Sequence, residues 1–319
     1  MNHYSPNPDS YPHSNPQIPN MNNDKAPKLS IGLPVYNGER YLAETIDSLL
    51  AQSFTDYELI ISDNASTDST PAICRRYAEL DSRIKYCRSE TNRGAAWNFN
   101  NTVHQAQGEY FKWAAHDDLH HPDFIKSCVH ILDTKPSVAL CFTYTNFIDE
   151  NGKDLGEYKF PVDVLQAPFN KVFLLYACGG HIVHEVFGVI RTDTLRNTPL
   201  IGGYVGSDLV MLGQLALAGQ FHQIPECMFY HREHAERSTV ATGGDQGFTR
   251  WYDASKSANF VMPYWRRLYE NTKSVLRAPL RCSQKLSCLV EILRSLNWNK
   301  QFYLQDAKNA VGMLVKRST

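Results

Sequence analysis

From Lys28 onward, short apolar runs alternate with stretches whose apolar residues recur at helical spacing. "KLSIGLPVY" reads as a buried strand, and Leu42, Ile46, Leu49 and Leu50 then fall on one face of a helix behind Gly38. "YELIISD" predicts a second strand, and Thr70 and Pro71 serve as N-cap and first residue of a helix to about Leu80. "RIKYCRS" predicts a third strand, residues 94–106 a helix and "EYFKWAA" a fourth strand. Pro122 opens a helix with Ile125, Cys128, Val129 and Leu132 as its stripe. "SVALCFTYTNFID" is a further strand that leaves through the hairpin turn "DENGKDL". Strand-helix units in this order predict an α/β fold with a mostly parallel sheet.

The two ends differ from this body. Residues 1–27 are Pro, Asn, Ser and His with little apolar surface to offset the entropy of ordering, so a disordered tail is expected. Beyond about residue 246 the chain turns helical and basic, with eleven Lys/Arg against three acids from Tyr264 onward. Leu286, Leu289, Val290, Leu293 and Leu296 make one amphipathic stripe, and Leu304, Ala307, Val311 and Leu314 another. Those helices either pack on the body and leave a solvated basic face or dock onto an anionic membrane surface. The expected organisation is a tail (1–27), a main α/β domain (28–245) and a basic helical extension (246–319).

Composition narrows the function classes. The 319 residues are 43% hydrophobic and 20% charged, and 32 Lys/Arg against 33 Asp/Glu leave no overall charge to attract nucleic acid. Eight cysteines include no CxxC pair and sit mostly in apolar runs, which points to a reducing compartment without a zinc ribbon or disulfide framework. There is no basic segment followed by an apolar core and no run of about 18 apolar residues. A cytoplasmic protein is therefore expected.

The densest chemistry is "YFKWAAHDDLHHPD", where an apolar strand stops at Asp117 and Asp118. Adjacent carboxylates repel unless a cation or proton lies between them. A bound Mn²⁺ or Mg²⁺ removes that cost and commonly bridges a carboxylate to substrate phosphates. The plainer alternative is that the pair complements the dipole of the helix that follows. Asp63, Asn64, Asp117 and Asp118 all follow strand ends, where ligands collect in open α/β sheets. The spacing of His116, His120 and His121 matches no recurring zinc pattern.

"GLPVYNGERYL" (32–42), "ELIISDNASTDST" (58–70) and "GEYFKWAAHDDLHHPDF" (108–124) resemble, in order and separation, the family 2 glycosyltransferases of the GT-A fold. "ETNRGAAWNFN" (90–100), "GSDLVMLGQLALAG" (206–219) and "YHREHAERST" (230–239) extend the resemblance over roughly residues 28–240. It implies an inverting enzyme that binds a nucleotide-sugar with a divalent cation. Pro34, Tyr36 and Glu39 then hold the base, with Tyr36 stacking on it. Asp63 and Asn64 stand where many members have Asp-Asp; Asn offers both donor and acceptor to a base edge, and a UDP-sugar is the expected donor. Ser66 and Asp68 shape the local turn. Arg93, at a helix start that favours anions, is assigned to the diphosphate and Asn98 to the sugar.

Members often carry Asp-x-Asp-Asp at the metal site, whereas this chain has Ala115-His116-Asp117-Asp118. The resemblance assigns Asp117 to the ribose or metal shell, Asp118 to the metal, and His234 to completing the site, with Arg232 on phosphate oxygens. Asp208 occupies the position resembling the family's catalytic base, against the plainer reading that it caps its helix. Glu185 is the reserve base, and His181 and His184 are acceptor-pocket candidates. The glycines of "TGGDQG" suit a mobile loop. The implied acceptor is a surface-polysaccharide or lipid-linked glycan, with the basic extension facing it at the inner membrane face. A sugar nucleotidyltransferase and a catalytically silent nucleotide-sugar binding module remain as alternatives.

Overall fold

The computed structural model describes residues 26–159, 167–179, 181–237, 245–254 and 262–318, without the side chains of 245, 246 and 313–318. The tail expected over 1–27 lies outside the described residues except for its last two, and so do the first residues of the expected glycine loop.

Strands β1 (Leu29–Val35), β2 (Tyr57–Asp63), β3 (Ile84–Arg88) and β4 (Tyr110–Trp113) pair in parallel, in the order β3-β2-β1-β4. Every residue of β1, β2 and β4 is buried, which is why these segments read as continuous apolar runs. Helices α1 (Leu42–Leu50), α2 (Thr70–Leu80) and α3 (Ala95–Gln105) are the crossovers, each starting or ending within a residue or two of its predicted bound. The sheet continues through β8 (Val189–Arg191), antiparallel to β4 and to β6 (Val138–Ile148). β6 runs parallel to β9 (Gln220–Arg232) and forms the expected hairpin with β7 (Asp154–Tyr158). The two-residue β5 (Leu119–His120), too short for any sequence period, ties the segment after the Asp117-Asp118 pair onto β9.

Period-2 alternation divides the core. Leu59 and Ile61 face α1, α2 and α4 (Phe124–Thr134), while Ile60, Phe111 and Trp113 face α3, α5 (Phe169–Cys178) and α7 (Ser207–Ala218). The short α6 (Thr192–Arg196) follows β8.

After β9 come α8 (Asp245–Tyr252), α9 (Pro263–Arg277), α10 (Cys282–Trp298) and α11 (Lys300–Ser318). Val275, Cys288 and Ile292 of α9 and α10 pack with Phe173, Ala177 and Leu217 of α5 and α7. The buried face of α10 is not the predicted leucine stripe but Cys288, Glu291, Ile292 and Ser295. Polar contacts select it: Glu291 pairs with Lys171 at 2.9 Å and Arg294 at 2.7 Å, and the Ser295 hydroxyl donates to the Ala177 carbonyl. Leu286 and Leu293 are consequently 63% and 66% exposed. On α11, Leu304 and Val311 are likewise exposed while Tyr303, Asp306 and Ala310 are buried.

Candidate active site

The Asp117-Asp118 loop leaves β4 and meets three other elements. The His116 ring lies against Gly38, the Thr45 hydroxyl of α1 donates to the Asp118 carbonyl, and β5 joins β9. Asp118 is 1% exposed; its Oδ1 accepts from the Arg232 backbone N–H at 3.0 Å and lies 3.1 Å from His231 Nδ1. Its Oδ2 is buried with no hydrogen-bond partner. Asp117 Oδ2 lies 2.8 Å from His234 Nε2. Burial pushes the Asp117 carboxyl up, but His116, His234 and His231 outweigh it and hold the group at about 2. Burial also disfavours a charged His231, yet Asp118 and Asp117 prevail and raise its pKa. The neighbouring His184, ring centroid 4.7 Å away, is pushed down to about 3 by burial and by His231 and Arg237. The structure thus brings Asp117, Asp118 and His234 together and adds His231, whose only sequence signal was its place beside Arg232 in "YHREH".

Arg232 has a different task from the phosphate contact assigned to it. Its side chain is 1% exposed, and the guanidinium donates to the Asp117 carbonyl (3.0 Å), the Glu150 carbonyl (3.2 Å) and Glu44 Oε2 (2.7 Å) while stacking on Tyr41 at 4.6 Å. With its donors committed to protein acceptors, it fixes the shape of the aspartate loop.

The loop after β1 is latched to the loop after β2. Asn37 N–H donates to Ser66 Oγ, Gly38 N–H to Thr70 Oγ1, Glu39 N–H to Asp68 Oδ2, and Ser69 N–H to Glu39 Oε2. Pro34 is buried in β1 opposite Ser62, and Tyr36, at the strand's end, is held 44% exposed. Asp63 and Asn64 are not presented as a hook for a base edge. Asp63 is fully buried and accepts from Ser66 N–H, Tyr86 Oη and Arg88 Nε. Asn64 binds Asn92, the Gly94 carbonyl and the Arg93 N–H. These side chains shape the loop instead.

The start of α3 also departs from the expected anion site. Arg93 N–H and Gly94 N–H are taken by Asn64 Oδ1 and Asn92 Oδ1, and the Arg93 guanidinium stacks on Trp97 at 4.3 Å. Gly94 has φ +85°, and a Cβ there would lie 2.6 Å from the Tyr252 carbonyl and 2.8 Å from the Ala254 nitrogen. Residues 252–254 therefore lie across this helix start. Asn98 is buried, donating to the Val35 carbonyl, with its own oxygen unpartnered.

Asp208 lies in the first turn of α7, but the N-cap is Gly206, with no side-chain capping bond. Asp208 is therefore not the cap residue, although its carboxylate accepts from the first-turn amides of Asp208 and Leu209. Asp208 keeps part of its surface accessible while protein crowds it on all sides, and burial raises its pKa against the pull of its own helix amides, Arg267 and His181. Two residues from the extension face it. The Tyr252 hydroxyl is turned to Ser207 and Asp208. Arg267 of α9 fits a slot lined by two left-handed glycines, Gly206 (φ +79°) and Gly179 (φ +68°), where added Cβ atoms would lie 2.6 Å from its Cδ and 3.0 Å from its Nη1. Neither residue belongs to a motif, so no sequence signal could have found them. Glu185, the reserve candidate, is set deeper: 1% exposed, its Oε1 lies 3.3 Å from Tyr176 Oη and 3.4 Å from His181 Nε2. Burial raises its pKa although His181 opposes the rise.

Among the described residues no group of three or more His, Cys, Asp or Glu is arranged to enclose a metal ion. A cation here would be held by one or two carboxylates and completed by the phosphates it accompanies, as Mg²⁺ usually is. The unpartnered Asp118 Oδ2 fits that arrangement, because a buried carboxylate oxygen is costly unless a cation or proton meets it.

Comparison with known proteins agrees on the fold and family. The family model described as Glycosyl transferase family 2 matches residues 30–191. An uncharacterized glycosyltransferase of Rickettsia typhi is 38% identical over 122 residues, 37% of either chain, so the match spans little over a third of that relative. The structure of S. aureus TarS (residues 1–349) in complex with UDP-GlcNAc superposes with a TM-score of 0.63 at 18% identity, over 90% of this chain and 81% of that one. The mannosyltransferase PcManGT of Pyrobaculum calidifontis, in complex with GDP-Man and Mn²⁺, gives 0.50 at 18% identity over 92% and 87%. At such identities the likeness concerns the architecture, the GT-A fold.

Proposed function

Because this chain belongs to glycosyl transferase family 2, we propose that it moves a sugar from a nucleotide-sugar to a hydroxyl of a glycan or lipid-linked acceptor, with inversion at the anomeric carbon. The observation that carries this reading is Asp208: a partly accessible carboxylate in a crowded recess, with a raised pKa and with cationic and phenolic partners around it. Such a group suits proton abstraction near neutral pH better than an ordinary surface carboxylate.

Asp208 accepts the acceptor's hydroxyl proton while the oxygen lone pair forms the new bond to the anomeric carbon. The bond from that carbon to the diphosphate oxygen breaks, and the nucleoside diphosphate leaves with its electron pair. Asp118, with Asp117 held beside it by His234, would hold Mn²⁺ or Mg²⁺, which when bound supplies positive charge to the departing diphosphate. Tyr36, exposed at the end of β1, gives a base a face to stack on, a contact worth about 1–3 kcal/mol in other base-binding proteins. The complexes of TarS with UDP-GlcNAc and PcManGT with GDP-Man suggest the first two donors to try.

The test is thermal unfolding with UDP-GlcNAc or GDP-mannose, with and without MnCl₂, followed by product analysis with glycan acceptors. A donor at about 100 times its Kd should stabilise by ~2.7 kcal/mol, only with metal, and nucleoside diphosphate should be released on transfer. Formation of a sugar nucleotide from a nucleoside triphosphate would identify a nucleotidyltransferase instead. Metal-dependent binding without turnover would identify a silent binding module.

A further inference from the structure

We infer that the outer face of the extension is a docking surface for an anionic lipid bilayer. This deepens the proposed function by naming where a lipid-linked acceptor is met, and it rests on that reading only for the acceptor. Three observations carry it.

First, exposed apolar surface is concentrated here. Of the fourteen large hydrophobic side chains exposed among the described residues, ten lie between Trp265 and Val311. On α10, Leu286, Val290 and Leu293 fall at i, i+4 and i+7 on the side opposite the buried Cys288, Glu291, Ile292 and Ser295. At about 100° per residue, Lys285, whose ammonium also donates to the Leu276 carbonyl, and the half-exposed Arg294, which also pairs with Glu291, flank that stripe on either side. Long basic side chains beside an apolar stripe can lay their stems on it and keep their charge in a headgroup layer.

Second, charge is sorted in depth. All three acids from Tyr264 onward are buried: Glu270 is held by Arg266 and Lys273, Glu291 by Lys171 and Arg294, and Asp306 by the Tyr264 N–H. The outward face of α9, α10 and α11 therefore shows positive charge without intervening carboxylates among the described residues.

Third, the charge is polarised along the chain. Of 32 Lys/Arg and 33 Asp/Glu, eleven and three lie from Tyr264 onward, so the near-neutral total conceals a basic extension on an acidic body. An anionic surface attracts the first and repels the second, which orients the molecule with the extension inward to the lipid. No described helix is long and apolar enough to cross a membrane, so the helices lie on the surface.

The test is cosedimentation of the full chain, without donor or acceptor, with vesicles of phosphatidylcholine alone or mixed with phosphatidylglycerol. Binding should require the anionic lipid and weaken as salt is raised. Leu286→Glu with Leu293→Glu should reduce partitioning by at least tenfold at unchanged Tm, because both side chains are already exposed. Equal binding to neutral vesicles, or none to anionic ones, overturns the inference. So does a double variant that turns a dimer into a monomer in sedimentation while the parent ignores vesicles, since a second copy would then cover the face. Vesicle binding by a protein that transfers no sugar would leave the docking surface standing and remove the proposed function.

Discussion

Replacing Asp208 with Asn separates a catalytic carboxylate from a structural one, because the structure gives the two roles opposite signs of stability change. A general base contributes about 10²- to 10⁴-fold, so Asp208→Asn should lower kcat by that factor, about 3–5 kcal/mol of transition-state stabilisation. Burial raises the folded-state pKa of Asp208 above its unfolded value. Below the unfolded value both states are protonated and the group is neutral towards folding. As pH rises from there through the folded value, the unfolded chain ionises first and stability is lost, and above the folded value the loss stays constant. Each unit of elevation costs about 1.4 kcal/mol. Asn keeps the shape and removes that cost, at the expense of the attraction to Arg267. Tm at neutral pH should therefore hold or rise, by roughly 2–4 °C for each kcal/mol recovered. The assays are initial rates at saturating donor and thermal unfolding of the same samples. A variant retaining more than a tenth of the parental kcat, or one losing activity and several degrees of Tm together, would refute the reasoning.

Two further substitutions probe the surroundings. Arg267→Gln removes a charge that opposes the rise of the Asp208 pKa, so the acid limb of the kcat profile should move to higher pH, with more activity lost at pH 6 than at pH 8; an even loss across pH would indicate a packing role alone. Arg232→Lys keeps the charge but cannot reach three acceptors or stack as a plane on Tyr41, so about 3 kcal/mol of stability should go. Unchanged Tm with weakened donor binding would return Arg232 to the phosphate.

Element order was legible in the sequence because the parallel strands are buried on both faces and the crossover helices on one, which imposes distinct periods on the chain. The aspartate loop was legible because unscreened paired carboxylates need a reason. Asp63, Asn64 and Arg232 were assigned to ligand because motif position specifies a residue but not the direction of its donors, and in the folded chain nearby carbonyls, amides and a guanidinium have claimed them. On α10 the leucine stripe was visible but its side was not. Glu291 goes inward because Lys171, 120 residues earlier, is there to meet it, and no local pattern carries that information.

The Arg267 slot has a consequence for chimeras. The family match ends at residue 191, whereas the carboxylate at 208 is enclosed by side chains from 252 and 267. A hybrid keeping this chain through β9 and borrowing another tail would retain Asp117 and Asp118 but leave Asp208 among strangers. Exchange of the C-terminal quarter alone would thus change what surrounds Asp208 while the half that matches the family stays untouched.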